Sequence, residues 1–142
     1  MGKVALGMAA VALTAGVVTG AGTASAEPGP DGRYYGSIAL GQWDDGTETW
    51  GTAYNYPNWQ ESDWDAVSEC GYAHCTVEVR FVDGCGAIAK SSGSNPSYFR
   101  GTGATRFDAE RAALQAAYRP SSMSASGGPG ILVVSQCTDN VR

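Results

Sequence analysis

Between Thr76 and Val82 the chain alternates with period two. Val77, Val79 and Phe81 fall on one side, and Thr76, Glu78 and Arg80 on the other. That is the pattern of a strand with one buried face. Further strands are predicted over residues 34–40, 48–54, 85–90, 97–103 and 131–137, separated by Asp-, Gly- and Ser-rich turns. Asn58 is a good N-cap, and Gln60, Glu61 and Asp63 place acceptors in the turns that follow it, so a helix is predicted over 59–69, ending near Gly71. Thr105 caps a second, alanine-rich helix over 106–118, closed by Arg119-Pro120. Asp44-Asp45-Gly46 and Asp83-Gly84 carry the chemistry of tight reversals, and Asp83-Gly84 is expected to be a two-residue hairpin turn joining 76–82 to 85–90.

This order is strand, strand, helix, strand, and it occurs twice. Tyr35-Gly36-Ser37-Ile38-Ala39 returns as Cys85-Gly86-Ala87-Ile88-Ala89, and Gly51-Thr52-Ala53 returns as Gly101-Thr102-Gly103. The stretch from Asn58 to Cys70 corresponds to that from Thr105 to Ala117. Such self-similarity signals two copies of one supersecondary unit. The fold class expected is α+β: two tandem ββαβ repeats (34–82 and 85–137) forming a six-stranded, mainly antiparallel sheet with two helices and two disulfides.

The first 26 residues depart from this pattern. Lys3 precedes a charge-free apolar stretch over 4–18, and Ala24-Ser25-Ala26 is the small-residue pattern of a signal-peptidase site, which predicts cleavage between Ala26 and Glu27. The apolar stretch is shorter than the roughly 20 residues a membrane-spanning helix needs, so export without a membrane span is expected. A Pro- and Gly-rich flexible segment over 27–33 would lead into a single domain over 34–142. Without the leader, 8 basic residues stand against 14 acidic ones, a net charge of −6. That balance repels phosphate backbones and argues against a nucleic-acid partner.

Four cysteines, all beyond the leader, predict two disulfides in an oxidising compartment. Of the three possible pairings, Cys70–Cys75 and Cys85–Cys137 are favoured. The first closes the turn between a helix and a strand, and the second ties the first strand of repeat two to the last strand of the chain. No C-x-x-C pair occurs and His74 is the only histidine, so no metal site is expected. No cofactor is expected either.

Several motifs together resemble one family. They are the Gly36-Ser37-Ile38-Ala39 strand, the step from Trp50 to Pro57, the Cys70–Cys75 turn, the segment from Asp83 to Ala89, the helix start from Gly101 to Leu114, and the terminal Cys137. The chain resembles the secreted actinobacterial family catalogued as domain of unknown function 4189, over nearly its whole length beyond the leader. The resemblance implies export, disulfides and the repeat. It brings no catalytic residues with it.

The candidate chemistry is sparse. Gly101-Thr102-Gly103-Ala104-Thr105-Arg106 lies between a strand and a helix, where free N–H groups with Thr105 and Arg106 would form a weak anion site. Arg106 replaces the third glycine of a dinucleotide fingerprint, and Thr105 as a simple helix cap accounts for the same residues. His74 is a candidate general base without a companion nucleophile, and no G-x-S-x-G elbow occurs. Glu110 is the acid to watch for hydrolysis, against an ordinary salt bridge to Arg106 or Arg111. Asp44, Asp45 and Glu48 cluster at a hairpin tip without matching a calcium loop.

The aromatic residues are distributed unevenly, with nine of fourteen between Tyr34 and Tyr72. At about 100° per residue, Trp59, Ala66 and Cys70 share one helix face with Val67 at its edge, and Trp64 falls about 140° from Trp59. Trp64 is therefore expected at the surface, with Trp43 and Tyr56 as further members of an aromatic contact surface. The function expected is a non-catalytic extracellular binding module whose partner is a protein or an envelope carbohydrate. The alternatives are a secreted hydrolase using Glu110 or His74, and a protease inhibitor presenting the Cys70–Cys75 turn.

Overall fold

The computed structural model describes residues 27–71, 74–118 and 128–141, so the predicted leader and most of the Ser/Gly loop after Pro120 lie outside the described residues. The elements are β1 (Tyr35–Gln42), β2 (Glu48–Tyr56), α1 (Trp59–Cys70), β3 (Cys75–Val82), β4 (Cys85–Lys90), β5 (Tyr98–Gly103), α2 (Arg106–Ala117) and β6 (Ile131–Cys137). The α+β class and the doubled ββαβ order are those expected. The six strands divide between two three-stranded antiparallel sheets, β2-β1-β3 and β5-β4-β6. Each repeat builds its own sheet around its own first strand.

Asp83-Gly84 is not the hairpin its chemistry suggests, because β3 and β4 belong to different sheets. Asp83 does take the left-handed conformation, at φ 46°. Its N–H donates to the Tyr34 carbonyl at 3.0 Å, and its Oδ1 accepts from the Tyr34 N–H at 3.0 Å and from Asn140 Nδ2 at 2.8 Å. The Gly84 carbonyl accepts both the N–H and the hydroxyl of Thr138, at 2.9 and 3.2 Å. The step therefore carries the chain from the edge of one sheet to the centre of the other. Turn chemistry guarantees the reversal, but the partner of each flanking strand is set by packing.

The central strands β1 and β4 are buried almost throughout, as strands covered on both faces must be. One face of each looks into a cluster shared by the two sheets: Ile38, Leu40, Val79, Phe81 and Ile88, with Tyr54, Tyr98, Val133 and Val134 against it. The other face meets a helix. Ala39 and Ala53 pack on Ala66 and Cys70 of α1, and Cys85, Ala87 and Ala89 pack on Ala109, Ala113 and Ala117 of α2. The layers therefore run helix, sheet, sheet, helix. In the centre β1 neighbours β4, β2 neighbours β6 and β3 neighbours β5, an arrangement that relates the repeats by an approximate two-fold axis.

Small residues make this stack possible. A Cβ on Gly51 would collide with the α1 backbone at Ala66 and Cys70, and one on Gly101 would collide with the α2 backbone at Ala109 and Ala113. Both helices thus lie in backbone contact with the second strand of their own repeat. Each helix is capped as expected: Asn58 accepts from the Glu61 N–H and Thr105 from the Asp108 N–H. Gly71 ends α1 in the left-handed conformation. The two disulfides are Cys70–Cys75 and Cys85–Cys137, the favoured pairing. The second joins residues directly opposite each other on β4 and β6.

Two polar clasps also hold the repeats together. Glu48 at the start of β2 accepts from Lys90 Nζ at 2.9 Å and from the Tyr98 hydroxyl at 2.7 Å. Asn55, buried and at φ 64° in β2, donates to Asp139 at 2.6 Å and accepts the Asp139 N–H at 2.9 Å.

Candidate functional site

The helical period places Gln60, Glu61, Trp64 and Asp65 on the side of α1 away from its sheet, because Ser62, Ala66 and Cys70 take the buried stripe. With Tyr56, which ends β2, these residues line a groove of about 570 Å³ with mostly apolar walls. Trp64 is 66% exposed, as expected from its angle on the helix. Burial first, then a hydrogen bond to Asp65 and the charges of Asp65, Glu61 and Glu69, push the Tyr56 phenol up to about 12. Tyr56 is thus a neutral hydrogen-bond donor in a negative field. Glu61 is fixed in place by Asn58 Nδ2 at 2.9 Å.

Trp43 does not join this group. It follows β1 at the far end of the β1–β2 hairpin and packs edge-on against His74 at 5.2 Å. Tyr56 lies at the opposite end of β2, a nine-residue strand spanning roughly 27 Å at about 3.3 Å per residue. The structure brings Tyr56 and Trp64 together and sets Trp43 and His74 apart from them.

Trp59 differs from expectation: it is 40% exposed rather than part of the buried stripe of α1. At the first position of the helix it reaches past the sheet edge, where its ring meets Tyr35 edge-on at 5.1 Å and the Arg80 guanidinium at 5.8 Å. Arg80 is ion-paired with Asp63, whose carboxylate also accepts from the buried Ser37 hydroxyl. Ser37 and Ser62 share a buried hydrogen bond of 2.7 Å. This polar clamp between helix and strand was not anticipated. Its one signal is a serine amid the small and apolar residues of Gly36-Ser37-Ile38-Ala39.

Repeat two contains the counterpart. Counting from the two N-caps, Trp59 corresponds to Arg106 and Asp63 to Glu110. Ser37 faces Arg80 across β1–β3 as its counterpart Ala87 faces Ser135 across β4–β6. Ser135 donates to Glu110 at 2.6 Å and accepts from Arg106 at 2.8 Å, while Arg106 also donates to the Ser135 carbonyl at 3.0 Å. The clamp persists with its arginine moved from strand to helix. Glu110 is thus tied to Ser135 rather than to Arg106 or Arg111 directly, and Arg111 pairs instead with Asp108 at 3.2 Å. The Arg106 head is occupied by Ser135 of β6, and the Thr105 oxygen accepts the Asp108 N–H at 3.2 Å. The hairpin acids diverge as well: Asp45 accepts the Thr47 N–H at 2.8 Å, whereas Glu48 turns to the other sheet. Among the described residues, no group of three or more metal-ligating side chains converges.

A family model described as a domain of unknown function (DUF4189) matches residues 35–137. The chain belongs to this family. No curated protein and no solved structure matches it. The span matched as DUF4189 opens on the first residue of β1 and closes on Cys137, so it takes in all eight elements, both disulfides and the α1 groove. Among the described residues of this DUF4189 domain, no helix is long and apolar enough to cross a membrane.

Proposed function

We propose that this chain is a secreted, disulfide-stabilised binding module without a catalytic centre, whose partner is an extracellular protein or an envelope carbohydrate. One observation carries the reading. The outer face of α1 holds a groove of about 570 Å³, a size typical of ligand sites, beside a tryptophan that is 66% exposed. Leaving an indole in water forgoes about 25 cal/mol for each Å² of apolar surface that burial would remove, and a partner recovers that free energy. The two expected acid–base candidates support binding over hydrolysis. Glu110 is engaged by a strand serine, and His74 lies against Trp43, in a separate part of the fold.

The test uses the oxidised chain as bait against envelope fractions and culture medium of the producing cell. Retained protein and polymer are identified by mass spectrometry, and released fragments are sought in the same tubes. Saturable capture that Trp64→Ala abolishes, without fragments, is the expected outcome. Because Trp43 lies away from the groove, Trp43→Ala should spare capture of a partner held in the groove. Fragments that appear with the unaltered chain and vanish with Glu110→Gln or His74→Ala would replace binding with hydrolysis.

A further inference from the structure

The two open sides of the sheet pair are built by the same positions of the two repeats, yet they carry opposite chemistry. On one side β3 lies beside β5, and on the other β6 lies beside β2. β3 and β6 share a bulge at the same place, with Glu78 as the extra residue in the first and Val133 in the second. Counting by the repeat, Thr76 corresponds to Ile131 and Arg100 to Trp50. The β3–β5 side is a polar network. Thr76 donates to Glu78 at 2.9 Å, and Arg100 pairs with Glu78 at 2.8 Å. The β6–β2 side replaces all three residues with apolar ones. There Ile131 is 47% exposed, Leu132 40% and Trp50 45%. One repeat thus shows that water solvates this position well when it holds an ion pair. The other leaves an indole and a run of aliphatic side chains uncovered, the mark of a contact surface.

We propose that the β6–β2 side is a self-association surface, on which a second copy of this chain sets its own β6 antiparallel to the first about a two-fold axis. Charge selects this occupant. Residues 120–138 hold no charged side chain, so two chains that each carry a net charge of −5 can meet here without like charges facing each other. The edges of the sheets select it as well. β3 and β5 carry the Glu78–Arg100 ion pair, and charges on an edge oppose the addition of a strand. On β2, Glu69 accepts the Thr52 N–H. β6 is covered in its second half, where Arg106 holds the Ser135 carbonyl and the Gln136 side chain holds that of Cys137. Among the described residues, no side chain hydrogen-bonds to the backbone of residues 131–134. A copy of β6 run antiparallel offers the same apolar side chains and the same free edge in return, the self-complementary contact of a two-fold dimer. None of these residues lines the α1 groove, so the proposal goes beyond the binding reading and stands apart from it.

The experiment is sedimentation equilibrium of the full oxidised chain from about 1 µM to about 1 mM, the range of small, transient interfaces. A reversible monomer–dimer equilibrium is expected. Trp50→Arg/Val133→Glu transplants the ion pair of the β3–β5 side onto β2 and β6. It should raise the dissociation constant at least about tenfold, the scale of a contact hot spot. Ile131→Thr installs the residue that repeat one holds at this exposed position and should raise the constant about fivefold, through lost apolar area. It introduces no charge, so it decides the matter if far-UV circular dichroism shows that the double variant loses its fold. Glu78→Gln/Arg100→Gln removes the ion pair on the opposite side and should change the constant less than about twofold. Hydroxyl-radical footprinting of the same solutions should protect Trp50 as the dimer forms and leave the exposed Phe107 of α2 unchanged.

A chain that stays monomeric over the whole range would overturn the proposal. So would a dimer indifferent to both Trp50→Arg/Val133→Glu and Ile131→Thr, or one weakened equally by Glu78→Gln/Arg100→Gln, since the contact would then lie elsewhere. Species that grow beyond the dimer would refute the closed two-fold arrangement. Trp50 already protected in the monomer would refute the second copy as occupant, because the chain itself would then cover this side.

Discussion

Phe81 is the wedge on which the two sheets close, and Gly36 is the test of that statement. The Phe81 ring is 4% exposed and lies in the cluster shared by both sheets. It fills the space above two glycines that occupy the same place in the two repeats. A Cβ on Gly36 would collide with the ring, and one on Gly86 would come to 2.7 Å of it. Gly36 pairs directly with Phe81 on β1–β3, so the ring has no slack toward β1. Gly36→Ala should therefore cost about 1–3 kcal/mol by overpacking, and Phe81→Ala about 3–5 kcal/mol by opening a cavity. Against a total stability of about 5–15 kcal/mol, the second loss threatens the fold. The assay is urea unfolding followed by far-UV circular dichroism. With a slope of about 1–3 kcal/mol per molar, Gly36→Ala should lower the midpoint by roughly 1 M. The decisive measurement is the double-mutant cycle with Phe81→Leu, whose smaller side chain can yield to the new methyl. The double variant should be more stable than the sum of the single losses predicts, by more than about 0.5 kcal/mol. Additive losses would show that the added methyl strains β1 itself, and the wedge argument would fail.

Three further outcomes are expected. Replacing Cys85 and Cys137 by alanine should cost about 4 kcal/mol by loop entropy, against about 2 kcal/mol for Cys70 and Cys75, since the sequence separations are 52 and 5; thermal melts of the two variants would reverse this order if native packing around the bonds, rather than loop closure, dominated. Burial raises the Glu48 carboxyl, but hydrogen bonds from Lys90 and Tyr98 together with the Lys90 charge outweigh it, so its value lies below the ordinary one. The stability it contributes is present above about pH 4.5 and is lost as pH falls through the depressed value; Glu48→Gln should therefore flatten the acid limb of the stability curve, and an unchanged acid limb would show that the clasp contributes nothing. Trp64→Ala should shift the unfolding free energy by less than about 0.5 kcal/mol, the range for an exposed site, whereas a loss above about 2 kcal/mol would make Trp64 part of the core.

The number, order and kind of elements follow from local chemistry. Period-two alternation in β3, the Asn58 and Thr105 caps and Gly71 each act within a few residues, so they were legible in the sequence. The repeat adds a long-range fact, because two segments with the same local pattern must make the same unit. It also places Cys85 and Cys137 on the first and last strands of the second unit, which made their pairing readable. The candidate site was legible only in part: the angle of Trp64 on α1 predicted its exposure, but nothing local shows that Tyr56 returns beside it while Trp43 remains at the other end of β2.

What the tertiary structure decided is which faces meet. Asp83-Gly84 has the chemistry of a hairpin, yet β1 claims β3 and leaves β4 to pair with β5 and β6. Trp59 carries helical periodicity that points to the core, yet its place at the helix start puts it over the sheet edge beside Tyr35 and Arg80. Arg106 follows a glycine-rich turn that suits an anion, yet Ser135 and Glu110 already hold its surroundings. The physical reason is common to all three. Turn, cap and period act over a few residues, and the sequence by itself determines them. The pairing of strands and the partner of a charged head depend on surfaces that meet only when two distant segments bury each other, and that choice belongs to the packed molecule.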